Sequence, residues 1–214
     1  MKKTMFLFAI LLALNSCAEP YKETNEVEEV KKTSFMEKTK FKTAYFASGC
    51  FWCVEAVFES IKGVEEAFSG YSGGVIKNPT YAQICTGRLR HAEAVKVIYN
   101  PEVVSYSTLV DVFFNSHDPS TLNRQGPDSG PQYRSIAFYN TEKEKTILLN
   151  KIKQLRSGGK YSKITTEVVP FDVFYMAEEY HQNYERRNPN NSYVRAVSIP
   201  RLNAFKAKMP ELLK

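Results

Sequence analysis

The sequence predicts an α/β fold of the α+β type: a two-layer sandwich with a ferredoxin-like split βαβ core and C-terminal additions. Four segments are apolar and extended in character, and two others repeat apolar residues every three to four positions, as amphipathic helices do. In chain order they read strand, helix, strand, strand, helix, strand, at residues 43–48, 54–61, 64–71, 92–99, 107–113 and 135–139. That is the element order of the split βαβ arrangement.

The first half of this core is a strand at residues 43–48 followed by a helix. The apolar residues of the helix share one face, at positions i, i+3, i+4 and i+7: Val54, Val57, Phe58 and Ile61. Gly63 is the stop signal of the helix. A second extended segment, residues 64–71, runs into Ser72-Gly73-Gly74, which predicts a turn.

The second half begins with a strand at residues 92–99, in which Glu93, Val95, Val97 and Tyr99 share one side. Ser107 is placed to cap the next helix, which carries Leu109, Val112 and Phe113. A long loop from residue 116 to 134, rich in Asp, Ser, Gly and Pro, leads to the strand at 135–139. Loops of this length inside a compact domain tend to be functional.

The predicted additions follow the core. Thr141 and Glu144 have the spacing of a capping box and open a helix that ends near residues 157–159. A strand is predicted at residues 164–169 and a helix at 176–187. Residues 188–214 carry few signals, so we expect them to wrap around the domain.

The N-terminus reads as an export signal. Lys2 and Lys3 precede an apolar run of about ten residues, too short for a bilayer span of roughly twenty. The ending Leu14-Asn15-Ser16-Cys17 resembles a bacterial lipobox, in which the cysteine is lipidated. We therefore expect a signal peptide at 1–17, a charged flexible tether at 18–40 and a folded domain at 41–214.

This pattern predicts an exported lipoprotein, anchored in the membrane through Cys17 and facing the periplasm or the cell surface. An ordinary cleaved signal and a soluble periplasmic protein are the alternative. The net charge of +6 comes from scattered Lys and Arg, with no stripe of Arg interleaved with aromatics, which argues against nucleic acid as a partner. The four cysteines form no disulfide framework, and the three His lack the spacing of metal ligands.

The most informative motif is Gly49-Cys50-Phe51-Trp52-Cys53, where the first strand meets the first helix. A thiol at a helix N-terminus is favoured as a thiolate, because the first-turn N–H groups and the helix dipole lower its pKa. Phe51 and Trp52 would form an apolar wall for a ligand. Cys53 completes a Cys-x-x-Cys that can close a disulfide. The alternative is that both cysteines are inert and the aromatics belong to the core.

Several other residues are candidates for proton transfer or hydrogen bonding. Glu93 begins a strand on an apolar face, where desolvation would raise its pKa and keep it protonated; exposure at a frayed end, or pairing with His91, is the alternative. Tyr81 and Tyr133 follow turns, and a phenol can donate to a partly negative oxygen. Asp128 is most simply a turn residue.

Five ordered blocks of sequence resemble peptide methionine sulfoxide reductases of the A type. The blocks are Gly49–Trp52, Gly70–Gly74 with Asn78–Tyr81, His91–Val95, Gly126–Ser135 and Glu179–Gln182. They span nearly all of the folded chain, from about residue 42 to 200. The fold of that family is a two-layer α/β sandwich with a split βαβ core, in agreement with the element order above.

The resemblance implies a peptide-methionine (S)-S-oxide reductase that repairs oxidised methionine, free or in proteins. It makes Cys50 the nucleophile that becomes a sulfenic acid. It gives Glu93, Tyr81 and Tyr133 the task of binding and protonating the sulfoxide oxygen. Substrate binding falls to Phe51, Trp52, Asp128 and His91. The family needs no metal or organic cofactor, only an external thioredoxin-like reductant, and we expect a monomer.

The sequence departs from the family pattern in two places. No cysteine follows Cys85, so a C-terminal resolving cysteine is absent, and Cys53 stands where many relatives have Gly. The simplest inference is that Cys53 resolves Cys50, since residues three apart in a first helical turn can meet disulfide distances. Leu89-Arg90 replaces the usual Thr-Gly before His91. A thioredoxin-like dithiol oxidoreductase, or a surface lipoprotein without activity, is the competing hypothesis.

Overall fold

A computed structural model of the chain describes residues 40–214. Eight strands lie in this part: β1 Lys42–Ser48, β2 Val64–Ser72, β3 Ala92–Tyr99, β4 Arg124–Gln125, β5 Asp128–Ser129, β6 Ser135–Tyr139, β7 Glu167–Pro170 and β8 Phe174–Met176. Six of them form one sheet in the order β7-β6-β1-β3-β2-β8, and β4 and β5 form a separate hairpin. The predicted signal peptide, Cys17 and the tether through residue 39 lie outside the described residues.

The centre of the large sheet is the split βαβ core. β3 pairs antiparallel with both β1 and β2, and β1 pairs antiparallel with β6. The additions extend both edges: β7 runs parallel to β6, and β8 runs antiparallel to β2. The predicted fold class, a two-layer sandwich with this core and C-terminal additions, is confirmed.

Six α-helices accompany the sheet: α1 Phe51–Glu59, α2 Tyr81–Cys85, α3 Tyr106–Asn115, α4 Glu142–Ser157, α5 Tyr184–Arg187 and α6 Ile199–Lys208. Residues of α1 and α3 pack with one face of β1 and β3 in the main core, around Phe46, Phe58 and Phe113. The opposite face carries a smaller cluster, covered by the segment between β7 and β8, where Phe171 stacks on Tyr45 with ring centres 3.7 Å apart. Both faces of the central strands are therefore buried.

Three predicted elements differ in the structure for local reasons. The cap of α3 is Ser105, whose hydroxyl accepts from the Thr108 amide, and Ser107 already lies inside the helix. The loop at 116–134 contains the β4–β5 hairpin and a short 3₁₀ turn at Pro131–Tyr133, so it is not structureless. The strand expected at 164–169 is β7, which begins at Glu167, where pairing with β6 starts.

The helix predicted at 176–187 was wrong. Met176 ends β8, a 3₁₀ turn covers Glu179–His181, and only α5 is helical. The break occurs because the Gln182 amide bonds the backbone of Ser69, and Asn183 adopts a left-handed φ of 53°. Residues 188–214, expected only to wrap the domain, contain a π-helical turn at Val194–Ser198 that continues into α6.

Within residues 40–214, none of the helices combines the length and apolar character that crossing a membrane would require.

Candidate active site

The chain turns sharply from β1 into α1 at Gly49, which has a left-handed φ of +90°. A side chain there would collide with Gln125, since a Cβ built at this position lies 2.6 Å from that residue's Cβ. Cys50 follows as the N-cap residue of α1. Its sulfur is presented to a cavity of about 300 Å³. The strand–Gly–helix arrangement therefore places Cys50 on the wall of a pocket.

Ten residues line this cavity: Cys50, Phe51, Trp52, Tyr81, Glu93, Asp128, Tyr133, Asn191, Ser192 and Tyr193. Seven of them are residues that the sequence singled out. They come from α1, α2, β3, the β4–β5 hairpin and the 3₁₀ turn before β6, so the fold brings together candidates that are widely separated in the chain.

Glu93 is buried on the face of β3 that points to the main core, with 2% of its surface exposed. Its Oε2 accepts a hydrogen bond of 3.0 Å from the Phe51 amide, a first-turn N–H of α1. Burial raises the pKa of Glu93 to about 8, although the Phe51 hydrogen bond acts in the opposite direction. Glu93 therefore holds a proton near neutral pH, as a general acid must, and the alternative of an exposed strand end is excluded.

The expectation that the helix N-terminus lowers the pKa of Cys50 was wrong for this state of the site. Burial raises the pKa of the Cys50 thiol, and the hydrogen bond with Cys53 and the negative charge of Cys53 raise it further. The physical reason is that the Phe51 amide is occupied by Glu93, and Cys50 makes no side-chain capping bond. The thiol stays protonated in the empty site.

Cys53 lies one turn further into α1 and is 1% exposed. Both cysteines are free thiols in this structure, and each shifts the pKa of the other. The hydrogen bond from Cys50 lowers the pKa of Cys53 to about 6, and the cationic Arg201 adds to this effect. The two cysteines therefore share one proton, with the negative charge favoured on Cys53.

Tyr81 and Tyr133 both line the cavity. Tyr81 opens α2 behind the Thr80–Gln83 capping box, and its amide is bonded to Glu178 at 2.9 Å. Burial and the nearby Glu93 raise the pKa values of both phenols above their ordinary range. Both hydroxyls stay protonated and can donate to an oxygen in the cavity.

Asp128 lies in the β4–β5 hairpin and accepts a hydrogen bond of 2.6 Å from the Tyr193 hydroxyl. Burial raises the pKa of Asp128, whereas the Tyr193 bond and Arg201 lower it. Burial, together with the negative charges of Cys53 and Asp128, raises the pKa of the Tyr193 phenol. Asp128 is therefore a turn residue that also positions Tyr193 over the thiols.

Sequence reasoning missed Tyr193 and its neighbours Asn191 and Ser192. They lie in the segment between α5 and α6, which returns to α1, and α6 itself contributes Arg201. No periodicity or motif spacing marked these residues, because their position depends on where the C-terminal segment packs. Arg201 is fixed by bonds from its guanidinium to the carbonyls of Ser116 and Ser48, at 2.8 and 2.9 Å.

An aromatic wall closes one side of the cavity. The Trp52 ring stacks on Tyr184 with centres 3.6 Å apart, and its Nε1 donates to His181 Nδ1 at 3.1 Å. Phe51 packs against His181 and Tyr81, with ring centres 4.9 and 6.3 Å apart. The wall can hold a small apolar group such as a methyl, and its rings are fixed on several sides.

The segment that carries His181 and Tyr184 is held to α1 by Glu55. This buried carboxyl accepts hydrogen bonds from the Ser69 hydroxyl and the Asn183 amide. Burial raises the pKa of Glu55 to about 7. Glu178 is the second anchor, since it accepts from the Tyr71 hydroxyl at 2.8 Å as well as from Tyr81.

His91 does not line the cavity, so its predicted contact with substrate is not supported. Its Nε2 lies 2.8 Å from the Ile76 carbonyl, and its ring packs edge-on against Tyr175. Arg90 has a left-handed φ of 59°, which turns the chain before β3 begins. Across residues 40–214, no group of three or more His, Cys, Asp or Glu side chains is arranged to hold a metal ion.

Comparisons with known proteins agree with this geometry. The family model described as peptide methionine sulfoxide reductase matches residues 42–212. The protein named MsrA from Pasteurella multocida is 49% identical over 171 residues, covering 80% of this chain and 98% of that protein. The MsrA of Picrophilus torridus is 46% identical over 164 residues, covering 77% and 93%.

Solved structures show the same relationship. Reduced Mxr1 from Saccharomyces cerevisiae matches with a TM-score of 0.67 and 37% identity, covering 72% of this chain and 88% of that one. Methionine sulfoxide reductase A of Corynebacterium diphtheriae matches with a TM-score of 0.64 and 36% identity, covering 71% and 77%. The chain belongs to the peptide methionine sulfoxide reductase family, and its relatives are of the A type. The competing hypothesis of a thioredoxin-like oxidoreductase is not favoured.

Proposed function

We propose that this chain reduces the S epimer of methionine sulfoxide, free or within proteins, with Cys50 as the nucleophile. The observation that carries the proposal is one cavity in which the Cys50 sulfur, a protonated Glu93 and the phenols of Tyr81 and Tyr133 all face the same space. A sulfoxide oxygen leaves poorly until it is protonated, so a soft nucleophile has to act together with an acid.

The substrate methyl group binds against Phe51 and Trp52, and the sulfoxide oxygen accepts from Glu93 and the two phenols. The Cys50 thiol passes its proton to Cys53 and attacks the sulfoxide sulfur, while Glu93 gives its own proton to the oxygen. The oxygen ends on Cys50 as a sulfenic acid, and methionine leaves. The substrate sulfur is reduced by two electrons and the Cys50 sulfur is oxidised by two.

Cys53 then attacks the Cys50 sulfur, displaces the hydroxyl as water and forms a disulfide. Its place next to Cys50 and its lowered pKa support this role. A thioredoxin-like dithiol protein reduces the disulfide and restores the enzyme. No step calls for a metal or an organic cofactor, and a monomer suffices because one chain supplies all the groups named here.

The deciding experiment is steady-state reduction of resolved S and R epimers of methionine sulfoxide, free and in a peptide, with dithiothreitol as reductant. We expect the S epimer to be reduced, and the R epimer to be reduced at less than roughly one hundredth of that rate. The reason is that one fixed methyl pocket and one fixed acid fit only one configuration at the sulfoxide sulfur. Equal rates for both epimers would contradict the proposal. An insulin-reduction assay serves as the test of general dithiol activity, and we expect it to be negative.

We also propose that the protein is exported and anchored at the membrane through lipidated Cys17, where it repairs oxidised exported proteins. The support is the sequence pattern of Lys2, Lys3, the apolar run and the lipobox-like ending. On that side of the membrane, the donor has to be an exported thioredoxin-like domain fed by a membrane relay, because a cytosolic reductant cannot reach the enzyme.

A further inference from the structure

We infer that the reducing dithiol attacks Cys50, not Cys53, and that it enters through the same cavity that binds the sulfoxide. Substrate and reductant would then exclude each other, so that methionine must leave before the enzyme is recycled. This inference rests on the proposed function, specifically on a Cys50–Cys53 disulfide as the oxidised state.

The two cysteines differ in how accessible they are to an incoming thiol. Cys50 lines the cavity of about 300 Å³, whereas Cys53 does not. Cys53 is 1% exposed, compared with 6% for Cys50, because it lies inside the first turn of α1, covered by the C-terminal segment. An incoming thiolate must approach the sulfur that it attacks along the line of the disulfide bond. The cavity offers that approach to Cys50 alone.

The two cysteines also differ in how well their surroundings stabilise a thiolate. The groups near Cys53 are the cationic Arg201 and the hydroxyls of Ser198 and Tyr193, each of which favours a thiolate there. Arg201 is held in place by the carbonyls of Ser116 and Ser48. Burial, in contrast, disfavours a thiolate on Cys50 and raises the pKa of its thiol. A disulfide breaks most readily when the sulfur that leaves is the better thiolate, which here is Cys53.

The exchange balances as follows. The donor thiolate attacks the Cys50 sulfur, a donor–Cys50 disulfide forms, and the Cys50–Cys53 bond breaks. Cys53 leaves with the electron pair as a thiolate. The second donor thiol attacks the donor's own sulfur in the mixed disulfide and displaces Cys50. The donor is oxidised by two electrons to a disulfide, and the enzyme disulfide is reduced by two electrons to two thiols.

The experiment traps the mixed disulfide on the full chain carrying Cys85→Ser, which removes the exposed third thiol of the described domain. The enzyme is first oxidised by methionine sulfoxide without reductant, and its free thiols are counted. It is then mixed with a thioredoxin whose second active-site cysteine is replaced by serine and, in parallel, with glutathione. After an acid quench and alkylation, fragment-ion sequencing locates the adduct. We expect Cys50 to carry roughly ten times more adduct than Cys53.

A kinetic arm tests the shared entrance. Reduction of the oxidised enzyme by glutathione is followed at increasing concentrations of methionine, with alanine at the same concentrations as the control. We expect methionine to slow the reduction several-fold and alanine to leave it unchanged.

The outcomes separate the two proposals. Three outcomes would overturn this inference and leave the reaction class intact. They are an adduct mainly on Cys53, no adduct with thioredoxin or glutathione, and no effect of methionine on the rate of reduction. If the enzyme does not lose a pair of free thiols during the oxidation step, Cys53 does not resolve Cys50. That result would remove the proposed resolving step before any donor is added, and this inference with it.

Discussion

The Phe51 amide and the Glu93 carboxyl are 42 positions apart in the chain and joined by one hydrogen bond of 3.0 Å. That bond determines how charge is distributed in the cavity. The N-terminal dipole of α1 acts on the acid instead of on the nucleophile, and the acid still keeps its proton because it is buried. Before substrate arrives, the site therefore holds a protonated acid beside a protonated Cys50, the unreactive form of the nucleophile.

Replacing the acid tests its role. Glu93→Gln should depress the chemical step by roughly 10²- to 10⁴-fold, the usual span for general acid catalysis. Substrate affinity should change less, because the amide can still hydrogen-bond the sulfoxide oxygen. Single-turnover release of methionine at saturating substrate measures the chemical step. A change confined to apparent affinity would make Glu93 a positioning residue.

The same substitution should change stability in a pH-dependent manner. The pKa of Glu93 rises from 4.5 to about 8 on folding, so between these values the native state binds a proton that the unfolded chain has lost. Wild-type stability is therefore reduced as pH rises through this window, and a glutamine does not titrate. Relative to wild type, Glu93→Gln should gain up to about 1.4 kcal/mol per pH unit there.

Urea unfolding at about pH 4, 6 and 8 measures this difference. Glu66→Gln, at an exposed position of β2, is the matched control and should show no such trend. A stability difference that stays constant from about pH 4 to 8 would contradict a raised pKa at Glu93.

Cys53 is the residue that we propose resolves Cys50. Attack on the substrate needs only Cys50, so Cys53→Ser should still release one methionine per enzyme without reductant. Wild type should lose two thiols in that turnover, whereas the variant should lose one and keep a sulfenic acid that a trapping reagent labels. With thioredoxin the steady state should collapse, and dithiothreitol should partly restore it. A Cys50–Cys85 disulfide in wild type would identify a different resolving residue.

At the scale of elements, the site depends on a segment with little regular structure. The stretch between β8 and α6 supplies the Trp52 partners His181 and Tyr184 and, further along, Tyr193, while α6 itself adds Arg201. Two carboxyl groups fix it: Glu55 of α1 accepts from the Asn183 amide, and Glu178, within the stretch itself, accepts from Tyr71 and Tyr81. The C-terminal additions thus complete the cavity that the split βαβ core begins.

Tyr193→Phe tests this contribution. The substitution removes the hydroxyl that bonds Asp128 at 2.6 Å and that lowers the pKa of Cys50. Activity should fall roughly 10- to 100-fold, as expected for loss of a hydrogen bond to a charged group. The pH profile of Cys50 alkylation should also move to higher pH, a change that a purely structural role would not cause. Tyr180→Phe, at an exposed position, is the control, and identical alkylation profiles would refute the role.

Sequence reasoning recovered the elements whose signals are local. The strands around Cys50 and Glu93, the helix after Gly49 and the capping residue Thr141 follow from periodicity and spacing over a few residues. It failed between Met176 and Arg187, where Gln182 and Asn183 exchange helical bonds for bonds to Ser69 and Glu55. Tertiary hydrogen bonds of this kind cannot be predicted from the local periodicity of apolar residues, and the position of Tyr193 depends on them.

At the scale of the whole molecule, the proposed lipidation of Cys17 would set where the described domain works. If Cys17 is lipidated, the mature protein should partition into detergent, and Cys17→Ser should release it in soluble form with its activity unchanged. Detergent phase separation measures the partitioning, and the intact mass of the mature chain shows whether Cys17 carries a lipid. A mature N-terminus that begins after Cys17 and carries no lipid would rule out the anchor.

The position of Trp52 gives this protein a built-in optical reporter. It is the only tryptophan among 214 residues, and its indole lies against Tyr184, bonded to His181, on the wall of the cavity that holds Cys50. Emission excited at the red edge of the indole band therefore comes from a single place, within one helical turn of both sulfurs. Ligand arrival, sulfur oxidation and recycling can each be timed by stopped-flow without a label or a coupled enzyme.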